Sequence, residues 1–253
     1  MRLIIFCIFM ATCAIPATAG QRVVHVVVAL CDNEFQGIVK VPAGIGNGQK
    51  PSTNLYWGAG YGVKTHFNRS EEWVAMSCSK PTIPHILDRA IWKHRDSAVY
   101  LVADAYDGRN IREATDDLLR FASGAAPERI VVGGTEIMAG GGAQLIAYVG
   151  HDGLMDFAME KVFEPMGTTT RETIILACIS KRFYAPHLRH TGAQPLLWTT
   201  GLMAPEAYTL KAALNGWVRR ETQEAIRERA AQAYHKYQKC GITGARRLFA
   251  TGW

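Results

Sequence analysis

Long apolar runs are scarce in this sequence of 253 residues. The most apolar stretch, Leu3 to Met10, is too short for a comfortable bilayer span, and no later stretch could anchor the chain. Nucleotide-binding glycine patterns are missing too. Val41 to Thr53 (VPAGIGNGQKPST) places Gly44, Gly46 and Gly48 out of step with GxGxxG, and Gln49 separates Gly48 from Lys50, so no Walker motif forms. The loop reads as a flexible rim. There is no GxSxG for a hydrolase serine and no HExxH for zinc. His187-x-x-His190 has a spacing that a metal could use on a helix, but it adjoins Pro186, lacks a third ligand and reads as a loop. Neither a metal nor a cofactor is called for.

Cysteine is sparse as well, six in all, which excludes a disulfide-dense scaffold. Charge of one sign is not concentrated. The net charge of +6 comes from scattered basic residues, gathered mainly in the last helix and tail, and implies no nucleic-acid site.

What is present begins with an export signal. Arg2 supplies a basic start, Leu3 to Met10 an apolar centre, and Ala17-Thr18-Ala19 a small-x-small cleavage site. Residues 1–19 are expected to be removed, leaving a periplasmic or secreted chain that starts at Gly20. Cys31, Cys78, Cys178 and Cys240 remain, and a Cys31–Cys78 bridge is compatible with an oxidising compartment.

Residues 20–253 are enough for one α/β domain with a sizeable core. Strand patterns lie at 22–30, 73–78, 98–103, 129–132, 144–150, 173–177 and 195–200. Helical patterns lie at 54–67 (capped by Thr53 or Asn54), 83–94, 111–122, 154–164, 204–218 and 219–239. Met155, Met159 and Met166 read as core packing. This alternation predicts a mostly parallel central sheet between two helical layers, a three-layer sandwich.

Two of the strand patterns end in reactive residues. Gln144 to Gly150 (QLIAYVG) runs into His151-Asp152-Gly153, and Thr173 to Ala177 (TIILA) runs into Cys178. Strands apolar on both faces suit a covered parallel sheet, whose functional groups gather at the carboxyl ends of the strands. A single crossover fits between the two runs. Adjacent strands lie about 4.8 Å apart, which would bring an imidazole within reach of a thiol, the raw material of a nucleophile and its base. Backbone N–H groups at Gly153 and Cys178 are candidate oxyanion donors.

Val149-Gly150-His151 and Leu176-Ala177-Cys178 resemble the signature of the caspase-like cysteine peptidases (caspases, metacaspases, legumains and gingipains): a hydrophobic strand ending in His-Gly, then one ending in a small residue and Cys. The resemblance covers about Val23 to Val218. It implies a caspase-like fold, a catalytic Cys178/His151 dyad and a peptide or protein substrate. Two positions depart from the pattern. Asp152 intervenes between His151 and Gly153, and Leu176 replaces the polar residue often found two positions before the Cys. Asp32, at the end of the first strand, would favour a basic substrate side chain, and Arg182, just after the Cys, an acidic one. Two further functions stay open: a catalytically inactive binding or scaffolding protein on the same fold, and an unrelated exported α/β hydrolase or small-molecule binding domain in which Cys178 is structural.

Overall fold

A computed structural model describes residues 20–253; the expected signal at residues 1–19 lies outside the described residues. The β-branched run Arg22–Ala29 forms β1, buried along almost its whole length. Its residues alternate between two cores. Val24, Val26 and Val28 join one, and Val23, Val27 and Ala29 join the other. That period of two is the mark of a strand covered on both faces.

After β1 come α1 (Val63–Asn68), β2 (Trp73–Met76), β3 (Ile86–His94), β4 (Val99–Tyr106) and α2 (Ile111–Ala122). A β5/β6 hairpin (Pro127–Val132, Thr135–Gly140) precedes β7 (Leu145–Val149), β8 (Glu172–Leu176), α3 (Ser180–Thr191) and β9 (Gln194–Thr199). The chain closes with α4 (Ala207–Val218), α5 (Gln223–Gln238), α6 (Ile242–Leu248) and β10 (Phe249–Ala250).

The main sheet has the order β10-β9-β8-β7-β1-β4-β3-β2. Pairing is parallel from β9 through β8, β7 and β1 to β4, and antiparallel at both edges. The fold is therefore α/β with a mostly parallel central sheet. Helices α2 and α3 pack Leu118, Phe121, Tyr184 and Leu188 on one face. Leu210 and Leu214 of α4 and Ala230 of α5 pack with Trp57 and Trp92 on the other. Each large aliphatic side chain so buried stabilises the fold by about 1.5–3 kcal/mol. The chain leaves β1 toward β4 and returns on β1's other side as β7, which creates a switch point where a crevice opens beyond the strand ends.

Several local expectations are corrected. The pattern at 83–94 is strand β3, because pairing with β4 overrides its helical spacing. The pattern at 54–67 yields only α1. Asn54 does not cap α1: it closes the 3-10 turn Pro51–Thr53, and its amide accepts from Cys31 N and donates to Cys31 O, tying the loop to the end of β1. At 154–164 only the 3-10 turn Gly153–Met155 forms. Met155 is 41% and Met166 58% exposed, so neither is core packing. His187 and His190 lie on α3, which continues through Pro186 because Tyr184 and Leu188 hold it to the sheet. No metal-binding group of side chains occurs among the described residues. Cys31 is buried and Cys78 exposed, and both are free, so they form no bridge.

Candidate active site

His151 and Cys178 stand side by side because of the β7–β8 register. Val149 pairs with Leu176, and each reactive residue follows its strand's paired residue by two positions. Gly150 is required between β7 and His151, since a Cβ there would meet Ala29 O at 2.8 Å. Cys178 sits on a sharp strand-to-helix turn. The next residue, Ile179, has φ 51° and ψ 30°, a left-handed conformation that costs a β-branched residue on the order of 1–3 kcal/mol. The Ile179 N–H donates to Gly201 O at 2.9 Å, which secures the turn.

Both residues line one cleft of about 410 Å³ beyond the strand ends, with apolar walls that include Ile38, Val41, Leu55, Tyr56 and Met203. The cleft draws on the segments after β1, β7, β8 and β9. Val39 (93% exposed) and Leu202 (71%) form an apolar rim.

His151 is almost fully buried and well oriented. Its Nε2 lies 2.8 Å from Asp156 Oδ2, and its carbonyl accepts from the Tyr148 hydroxyl at 2.8 Å. The same Asp156 oxygen accepts from Gly37 N at 2.9 Å, linking the imidazole to the loop after β1. With Nε2–H donated to Asp156, Nδ1 is the nitrogen left to act as base. Asp156 was hidden in the sequence within an apparent helix. Its only signal was an acidic residue five positions after the histidine.

Cys178 bonds elsewhere. Its thiol donates to Met203 O at 3.5 Å, and Met203 N–H donates back to Sγ at 3.4 Å. Burial pushes the thiol above its usual range; the Met203 bond opposes that rise and the Asp152 carboxylate adds to it.

Asp152 is fully buried, with Oδ1 accepting from Leu154 N at 3.0 Å and Oδ2 without a partner. Burial pushes its carboxyl up to about 7, against the Leu154 bond and reinforced by Asp156. By opening the 3-10 turn, Asp152 carries Gly153 into that turn, where its carbonyl accepts from Asp156 N and Phe157 N. Gly150, His151 and Cys178 line the cleft, and Gly153 does not.

Neither substrate-pocket candidate lines the cleft. Asp32 is buried and committed to its own turn. Its Oδ1 accepts from Glu34 N and Phe35 N, and its Oδ2 from Gln49 Nε2. Arg182 is exposed on α3, with its guanidinium over the Phe183 ring at 5.7 Å. The carboxylate that does line the cleft is Glu206, between β9 and α4. No family model, curated protein or solved structure matches this chain.

Proposed function

We propose that this protein is an exported cysteine hydrolase of caspase-like fold that cleaves peptide bonds, with Cys178 as nucleophile and His151 as base. The observation that carries the reading is the β7–β8 register, which sets His151 and Cys178 at the carboxyl ends of adjacent parallel strands in one cleft. The succession of strands, with a His strand beside a Cys strand, is the one the caspase-like resemblance implies.

In this mechanism Nδ1 of His151 takes the thiol proton as Sγ attacks the scissile carbonyl, and a thioester forms as the amine leaves with that proton. Asp156 holds the imidazole in the required tautomer and stabilises its charged form. The Cys178 backbone N–H faces the developing oxyanion. Water then attacks the thioester carbon, His151 accepts the water proton, and Sγ departs to recover the thiol.

The half-buried thiol, bonded to Met203 and with its pKa pushed up by burial, favours a second reading, a binding protein on the same fold. Labelling with a thiol-reactive electrophile at neutral pH, run beside a peptide-library cleavage assay, separates the two. A hydrolase labels at Cys178 and loses cleavage in Cys178→Ala. Resistance of Cys178 together with no cleavage overturns the hydrolase reading. Intact-mass measurement of the exported protein tests removal of residues 1–19, and a soluble cytoplasmic form retaining them would refute export.

A further inference from the structure

Glu206 is a carboxylate without a counter-ion in an apolar cleft. Its Oε2 accepts from the Tyr208 hydroxyl at 2.9 Å and from Gln238 Nε2 at 3.2 Å. Neither partner carries positive charge. Two other half-buried glutamates are neutralised, Glu72 by Lys211 and Glu221 by Arg229 at 2.5 Å. Among the described residues no lysine, arginine or histidine forms an ion pair with Glu206. An uncompensated carboxylate against apolar walls is costly to keep, so a site that keeps one has a use for a cation arriving from outside.

Glu206 shares its cleft with the reactive pair. Tyr56, buried in the cleft wall, lines the same space as Cys178 and Glu206. Leu55 and Met203 add to the apolar wall of that cleft. A long side chain with an apolar stem and a charged tip matches that profile, because lysine and arginine lay their methylenes on apolar surface and place the head group at a polar end.

We propose that Glu206 is the specificity-determining residue of this cleft and selects a peptide substrate whose lysine or arginine side chain enters it, with the adjoining carbonyl at Cys178. This rests on the hydrolase reading for its cleavage step, but the binding step stands apart from it. Asp32 and Arg182 take no part, since neither reaches the cleft.

Binding is measured on Cys178→Ala, which has no nucleophile, by calorimetry with two capped dipeptides that differ only in lysine or norleucine. The lysine peptide is expected to bind about tenfold or more tightly, the worth of one charge-assisted hydrogen bond. Adding Glu206→Gln, which keeps an acceptor for Tyr208, should bring the two affinities together, and Glu206→Lys should turn the preference toward an aspartate peptide. Equal affinities with Glu206 in place, or a preference for aspartate, overturn the proposal. Electrophilic ketones built on the same dipeptides then probe the chain with Cys178 intact. Selective labelling by the lysine probe supports both readings. Lysine-selective binding without any labelling retains the Glu206 site and overturns the hydrolase reading.

Discussion

Nε2 of His151 and Oδ2 of Asp156 lie 2.8 Å apart, and the same oxygen is bonded by the Gly37 amide at 2.9 Å. One carboxylate thus orients the imidazole and fixes a loop bordering the cleft. In a hydrolase, Asp156→Ala should lower kcat by roughly tenfold to a hundredfold, within the range ascribed to general-base assistance. An unchanged rate would remove Asp156 from the mechanism.

Substitution of the reactive pair should give graded effects. Cys178→Ala should abolish turnover, since no other side chain in the cleft can form the thioester. His151→Ala should cost on the order of 10²- to 10⁴-fold. Cys31→Ala and Cys78→Ala should leave the chemistry in place, because neither lines the cleft: Cys31 is buried beside Asn54 and Cys78 is exposed elsewhere. Steady-state kinetics on a cleaved library peptide decides each case.

Asp152 links the thiol to folding stability. Its folded pKa is raised from 3.8 to about 7, so the folded state holds its proton more tightly than the unfolded chain does. The sign is that of an acid made weaker by folding: stability falls as pH rises from about 4 to about 7, by up to roughly 4 kcal/mol. Asp152→Asn should flatten that slope in urea titrations at successive pH values. It should also speed alkylation of Cys178 near pH 8, because the carboxylate that raises the thiol pKa is gone. A slower alkylation rate would contradict this electrostatic account.

Away from the cleft, Arg89 on β3 grips its register partner Asp104 on β4 through two bonds, at 2.5 and 2.6 Å. The same guanidinium reaches Glu128 on β5, while His25 Nε2 lies 3.1 Å from Asp104. His25 Nδ1 accepts from Gly140 N, so Nε2 carries the proton that goes to Asp104. Arg89→Ala removes the counter-ion of the buried Asp104 carboxylate, leaving only the His25 Nε2–H bond, and should cost about 3–5 kcal/mol in chemical denaturation. Asp104 is held below its usual range by Arg89 and His25, against the effect of burial. A carboxylate of depressed pKa contributes stability above its unfolded pKa and loses it as pH falls through the folded value, so the wild-type advantage over Asp104→Asn should shrink in acid.

The sequence by itself determined the covered strands and the adjacency of the reactive pair. β1, β4, β7, β8 and β9 could be read because a strand buried on both faces must be apolar along its length, and sequential order with a single crossover sets β7 beside β8. Tertiary structure decided what local pattern left ambiguous. Residues 83–94 carry helical spacing but pair with β4, since ladder bonds and burial outweigh local preference. Residues 154–164 lose their helix where Asp156 turns to meet His151 and Gly37. Asp32 and Arg182 lie close in sequence to strand ends that reach the cleft, yet turn chemistry consumes the first and the α3 surface carries the second away. Glu206 reaches the cleft from the β9–α4 connection, far along the chain from both reactive residues, because a parallel sheet gathers its strand ends in space. Side chains that meet only there share no spacing that a linear pattern could reveal.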